Sequence, residues 1–276
     1  MTTTSNLRCT FADMRKFAPL LLVLFALSGC GEYQKVLKST DPAFKFTKAI
    51  EYYDAEQYNK AYPLLDELMS AYRGTSRAQD VYKYYAQTLY GQRDYILAGY
   101  HFKRFSQTFP NHPFAEEASY LTAYCYYLES PVSSLDPAYT YKAMDELQLF
   151  INTHEGSSYI PEANSFMDEL RERLEKKAFD IAKGYHHRQL YSSAVTSLNV
   201  MLSEYPDSPY REEAMMLRLE SAFKLAENSV SDKEAQRFKE AETAFLEFQD
   251  AYPESPFANN AAAYYAKIQG FLQKES

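Results

Sequence analysis

A 276-residue chain with 37 acidic and 29 basic side chains, net charge −8, is too acidic to hold nucleic acid by neutralising phosphates. The same balance argues against adhesion to anionic lipid headgroups, so any link to a membrane needs another device. The length leaves room for one elongated or two compact domains.

The front of the chain supplies that device. Arg15 and Lys16 precede an apolar run from Phe17 to Cys30 that ends in small residues. A charged n-region, a short apolar stretch and a small-residue end make a secretory signal. The run is too short to span a bilayer, which takes about 20 residues. Its end, Leu27-Ser28-Gly29-Cys30, resembles the bacterial lipobox. The resemblance implies that Cys30 becomes the first mature residue, with a diacylglycerol on its sulfur and an acyl chain on its amine. One myristoyl-sized chain would give only marginal binding, so several are needed for a stable anchor. Met14 opens a compact signal and is a better start than Met1, which makes 1–13 a candidate start-site misassignment. Loss of 1–29 removes Arg8, Arg15, Lys16 and Asp13, and leaves the mature chain more acidic still. Residues 30–41 follow as a lipid-bearing tether. Of the three cysteines, Cys125 reads as a small buried apolar residue.

From residue 42 onward the chain repeats itself. Tyr58-Ala61-Leu65-Leu68-Tyr72, Tyr95-Ala98-Phe102-Phe105-Phe109, Tyr191-Ala194-Leu198-Met201-Tyr205 and Phe238-Ala241-Phe245-Phe248-Tyr252 share one spacing of three, four, three and four. Ala143, Leu147, Phe150 and His154 give a degenerate fifth copy. That spacing is a single apolar stripe on a helix. Twelve residues before the landmark alanine stands another small residue in three copies: Ala49, Ala86 and Ala182. Facing small residues let two antiparallel helices approach closely, and the connectors AEQ, QRD and HRQL close the hairpins. The pattern resembles the tetratricopeptide repeat, a helix–turn–helix unit of about 34 residues. The fold class expected is therefore all-α, a superhelical stack of about five such hairpins. The segments 129–140 and 227–236 lengthen two of the units.

Each stripe ends in a turn. Three turns read FPNHPF (109–114), YPDSPY (205–210) and YPESPF (252–257). The first proline cannot continue the preceding helix. Ser208 is placed to cap the next, with Pro209 at its first position. Glu212 and Glu213, like Glu116 and Glu117, then fall in a first turn, where the helix dipole favours them. Two copies, YRGTS and HEGSS, lack the first proline, so their junction angles stay open. Pro161 opens a continuous helix of roughly 24 residues, about twice the usual length, with Met167, Leu170, Leu174, Ala178, Ile181 and Tyr185 on one face. It divides a three-hairpin half (42–160) from a half containing the long helix and two hairpins (161–276).

The sequence is poor in catalytic signals. It has 8 glycines and neither a phosphate-cradling nor a dinucleotide-binding glycine motif. His101, His112, His154, His186 and His187 are scattered, and the last two point to different faces of a helix end, so no metal site is expected. Adjacent carboxylates such as Asp66 and Glu67 diverge on a helix. No enzyme activity and no cofactor beyond the Cys30 lipid are expected. Tyrosine stands out instead, with 26 residues and no tryptophan. Phe46, Ile50 and Tyr53 share one face of the first helix of their unit; Lys83, Gln87 and Tyr90 share the equivalent face of the second, and Tyr120, Tyr124 and Tyr127 that of the third. Two readings are open. The rings fill wide gaps between helices with the hydroxyl in water, or they line a groove for an unfolded peptide, to which tyrosine offers rigid area and a polar tip.

The Cys30 lipobox, the stretch from Gly31 to Asp80, the second-unit segment YILAGYHFKRFSQTFPNHPFAEEASYLTAYCYY (95–127) and the five hairpins together resemble the BamD family, lipoproteins of the outer-membrane β-barrel assembly machinery. The resemblance covers the mature chain. It implies a protein hung by its lipid from the outer membrane and facing the periplasm. It implies docking on a BamA-like barrel insertase through the C-terminal units, contact with other subunits, and recognition of aromatic-ended signals on unfolded outer-membrane β-barrel proteins. Two other classes share parts of the pattern. Envelope scaffolds for cell-division and cell-wall coordination carry similar turns, but with a coiled coil and no lipobox. Glycan-binding lipoproteins use such repeats but are longer and stack sugars on tryptophan.

Overall fold

A computed structural model describes residues 31–274. The lipobox, Cys30 and the signal therefore lie outside the described residues. Among these residues every regular element is a helix, twelve in all. A short helix over 31–38 (α1) is followed by α2 (Pro42–Asp54), α3 (Tyr58–Ala71), α4 (Ala78–Gly91), α5 (Tyr95–Thr108) and α6 (Ala115–Glu129). Then come α7 (Ala138–Thr153), α8 (Ile160–His187), α9 (Tyr191–Glu204), α10 (Arg211–Glu227), α11 (Ser231–Ala251) and α12 (Ala258–Leu272). The fold is a tetratricopeptide-like stack of hairpins.

The described residues form two compact units that part between 128 and 129. The expected division at 160/161 lies one helix later. α7 packs on α8 within the second unit, so the third expected hairpin is split between α6 and α7. The insertion after α6 explains the earlier break. Its carbonyls are held by α8: Arg173 Nη1 donates to the Ser130 oxygen at 3.1 Å, and Lys177 Nζ to that of Leu135 at 2.8 Å.

The landmark alanines are buried between the helices. Ala49, Ala61, Ala86, Ala98, Ala143, Ala182, Ala194 and Ala241 are all 0% exposed. Around them the stripe residues Leu65, Leu68, Phe102, Phe105, Leu147, Phe150, Leu198, Met201 and Phe248 are equally buried. The long helix α8, 28 residues, departs from its expected face: Leu170 and Leu174 are buried, but Ile181 is 46% exposed, and Phe179 and Ala182 take its place. Phe179 and Ala182 face the core shared with α9, α10 and α11, whereas the earlier part of α8 also packs on α7, so the buried face follows the change of neighbour along the helix. α12 extends the expected set by one helix. It closes the second unit by stacking Tyr265 on Phe245 (centroids 4.2 Å) and Phe271 on Phe238 (4.1 Å).

The junctions between hairpins share one hydrogen-bond pattern. The N–H of Tyr72, Phe109, His154, Tyr205 and Tyr252 donates four residues back, at 2.9–3.0 Å. Three residues on, the N–H of Thr75, His112, Ser157, Ser208 and Ser255 donates to the carbonyl of that ring residue. Their own carbonyls then accept from Ala78, Ala115, Ile160, Arg211 and Ala258, each the first residue of a helix or next to it. The two copies without the first proline make the same backbone bonds, so proline is not what sets the bend. The expected cap is displaced by one turn. Ser208 Oγ accepts from Tyr210 N–H at 3.3 Å, as Ser255 does from Phe257 at 3.0 Å, and regular helix starts only at Arg211. Pro209 thus lies in the intervening turn, and Tyr210 stands at the N-cap position of α10.

The turns inside hairpins are different. Glu56, Arg93 and Gln189 adopt left-handed backbone (φ 56°, 63° and 60°) just after α2, α4 and α8. In each, two crossed N–H donations return to the helix end. For Arg93 these are Arg93 to the Tyr90 oxygen at 2.9 Å and Asp94 to the Leu89 oxygen at 3.1 Å. This is the Schellman closure, built here without glycine.

Two glycines on helices separate steric from intrinsic effects. A Cβ on Gly99 would stand 3.1 Å from Cys125 Cβ, whereas one on Gly184 meets nothing within 4 Å. Gly99→Ala is expected to destabilise by about 1–3 kcal/mol through overpacking. Gly184→Ala is expected to stabilise by up to about 1 kcal/mol through helix propensity. Thermal denaturation followed by circular dichroism measures both.

Candidate functional site

The first helices of the first unit, α2, α4 and α6, form one wall of a cleft of about 390 Å³. Tyr53 comes from the end of α2, Gln87 and Tyr90 from α4, and Glu117 and Leu121 from α6. Tyr58 and Tyr95, each the first residue of a second helix, close it from the other side with Gly91 and Arg93, over Phe102, which is fully buried. Arg93 and Glu117 give one charge of each sign among the lining residues.

The rings hold one another at fixed angles. Tyr53 packs edge-on to Tyr84 (5.2 Å) and Tyr58 (5.7 Å). Tyr90 leans on Tyr95 (5.5 Å) and Phe102 (6.3 Å). Such contacts contribute roughly 0.5–1.5 kcal/mol each beyond area burial. Gly91 makes room for this: a Cβ there would fall 2.4 Å from the Tyr58 ring. Burial lifts the Tyr90 phenol to about 12, helped by neighbouring Tyr124. Burial also raises Tyr53, with Tyr58 as the next cause. Both hydroxyls therefore remain protonated donors at neutral pH.

The structure separates the sequence candidates. Tyr53, Gln87 and Tyr90 meet in the cleft. Tyr124 lies close enough to Tyr90 to shift its pKa, and forms a parallel ladder along α6 with Tyr120 (6.0 Å) and Tyr127 (5.9 Å). Phe46 is only 8% exposed, wedged edge-on between Tyr72 and Tyr84, and Tyr120 is 5% exposed. Ile50 packs against the same core as Phe46. These three belong to the packed interior. Lys83 sits over the Phe114 ring at 4.8 Å, away from the cleft. Sequence reasoning did not assign Tyr58, Gly91, Arg93, Tyr95, Phe102, Glu117 and Leu121 to the site. Tyr58, Tyr95 and Phe102 were already visible as stripe landmarks. Their second use as cleft walls needed the neighbouring hairpin.

Among the described residues no cluster of three or more His, Cys, Asp or Glu side chains could hold a metal ion, and no helix is long and apolar enough to cross a membrane. The model of a family described as outer membrane lipoprotein, YfiO, matches residues 39–237. The chain belongs to the YfiO family of outer membrane lipoproteins. Family membership thus spans both compact units, from the residues just before α2 into α11. Among solved structures, the TPR2AB domain of yeast Sti1 in a pHSP90 complex aligns over 84% of this YfiO-family chain and 97% of its own, at 12% identity and a TM-score of 0.38.

The raised phenols carry a prediction. A tyrosine held neutral in the fold favours the folded state fully below pH 10, and that contribution is lost as pH rises toward 12. Ultraviolet titration of the phenolates is expected to show a late-ionising fraction that rises together with alkaline unfolding. Tyr90→Phe removes part of that fraction, and an unchanged titration curve would contradict the burial of Tyr90.

Proposed function

We propose that this chain is a lipid-anchored, non-enzymatic scaffold of the outer-membrane β-barrel assembly machinery. Cys30 carries the lipid, the protein faces the periplasm, and it docks on a BamA-like barrel insertase and its companion subunits through the second unit. The cleft of the first unit takes an aromatic-bearing segment of an unfolded barrel protein. The observation that carries the client reading is the cleft itself. It is lined by rings, held rigid by edge-on contacts, and furnished with protonated hydroxyls, one cation and one carboxylate. An extended peptide offers the complement: an apolar ring for the floor over Phe102, and backbone carbonyls for the phenols. Rigid tyrosine surfaces bind such segments with little loss of side-chain entropy.

Fluorescence anisotropy with a labelled peptide from the C-terminal end of an outer-membrane barrel tests this. Tyr53, Tyr90 and Tyr124 together changed to alanine are expected to weaken binding at least tenfold, equivalent to about 1.4 kcal/mol or more. Circular dichroism monitors whether the fold is kept, and unchanged affinity in a folded variant removes the client role. Affinity purification of the lipidated protein is expected to bring down a barrel insertase, and depletion is expected to lower outer-membrane barrels. A septation fault with normal barrels would place the protein instead among cell-division scaffolds.

A further inference from the structure

The eight described residues of α1, about 12 Å long, are packed onto the first unit. Val36 is 1% exposed within the core of that unit. Near the start of α1, Tyr33 packs edge-on to Tyr52 at 5.6 Å, and its hydroxyl donates to the Lys60 carbonyl at 3.3 Å. Glu32 pairs with Lys48 at 3.5 Å. Tyr52 lies in the last turn of α2 and Lys60 in the first turn of α3, so the start of the described part of α1 lies near the α2–α3 turn. At the other end of α1, Ser39 N–H donates to the Val36 carbonyl, and the chain passes directly into Asp41, which caps α2. α1 therefore runs antiparallel to α2. Cys30 directly precedes Gly31 in the sequence, so a lipid on Cys30 would join the described chain near the hairpin-turn edge.

A second observation lies on that edge. Glu56, Gln57, Asn59 and Lys60 of the first hairpin, with Gln92 and Arg93 of the second, line an open recess of about 600 Å³. Gln92 Nε2 donates to Asn59 Oδ1 at 3.0 Å and ties the two turns together. Tyr58, Gly91 and Arg93 line both this recess and the tyrosine cleft, so the two are continuous.

We infer that the anchor holds the hairpin-turn edge of the first unit against the lipid surface, so that the tyrosine cleft opens toward the membrane. The inference rests on the lipidation of Cys30 proposed above. The occupant of the edge is the bilayer that carries the anchor. Lys60, Arg93, Gln57 and Gln92 supply donors to headgroup oxygens there. The opposite edge, with the junction residues Ser76 and Asn111, stands about 20 Å away along the 13 residues of α2.

The test uses the full lipidated protein in vesicles of phosphatidylethanolamine and phosphatidylglycerol containing a headgroup-nitroxide lipid. A thiol-reactive fluorophore is placed on Gln57→Cys, Ser76→Cys or Asn111→Cys, with the buried Cys125 shielded by the fold. Quenching is expected to be several-fold stronger at position 57 than at 76 or 111. A flexible Gly/Ser linker of about 12 residues between Cys30 and Gly31, with an end-to-end distance of about 19 Å, is expected to erase that difference without touching the folded residues. Equal quenching at the two edges in the lipidated parent, or a difference that survives the linker, overturns the orientation while leaving the anchor intact. Mass spectrometry of the mature protein without lipid on Cys30 overturns both.

Discussion

The close approach of helices at alanine is the constraint on which the rest depends. Two helices joined by a turn of three or four residues must lie almost in contact, and that distance leaves no room for a branched side chain at the crossing. Ala49 and Ala61, Ala86 and Ala98, and Ala182 and Ala194 meet that condition, each fully buried. Along the same stripes the larger buried side chains follow: Leu65 and Leu68, Phe102 and Phe105, Leu198 and Met201. Gly99 shows the limit of the same rule. There α5 and α6 come so near that even a methyl group would crowd the Cys125 Cβ.

This gradient explains why the fold was largely legible. A stripe of small then large residues at helical spacing encodes both the helix and the distance to its neighbour, so hairpins, turns and crossing points could be read off together. The junction bonds are backbone bonds, which is why YRGTS and HEGSS close as the proline-containing copies do. α1 was not legible, because eight residues carry barely two turns of periodicity. The shift of the α8 face past Ile181 was not legible either, since it follows from which helices α8 packs on and not from its own period.

The site was legible in part for a different reason. Tyrosine suits two environments, a gap between helices and a groove for a ligand, and one helix face cannot distinguish them. Phe46 and Tyr120 sit in the first, Tyr53 and Tyr90 in the second, although all four share the same spacing logic. What decides is the adjacent hairpin. Phe46 is covered by Tyr72 and Tyr84, whereas Tyr90 faces the space left where Gly91 admits the Tyr58 ring. A cleft made by two hairpins and α6 is a property of their stacking, and single-helix patterns do not contain it.

The hairpin turns carry the same lesson into function. Glycine is the default where backbone turns left-handed, and the chain uses it at Gly74 (φ 77°) in a junction. Inside the hairpins it places Glu56 and Arg93 in that conformation instead, at a cost of about 1–2 kcal/mol for each. Both side chains line the recess at the turn edge, and Arg93 also lines the cleft. A glycine would close the same crossed hydrogen bonds with less strain but would leave the mouth of the cleft without its cation. Backbone strain at Arg93 is thus offset by where the guanidinium is delivered.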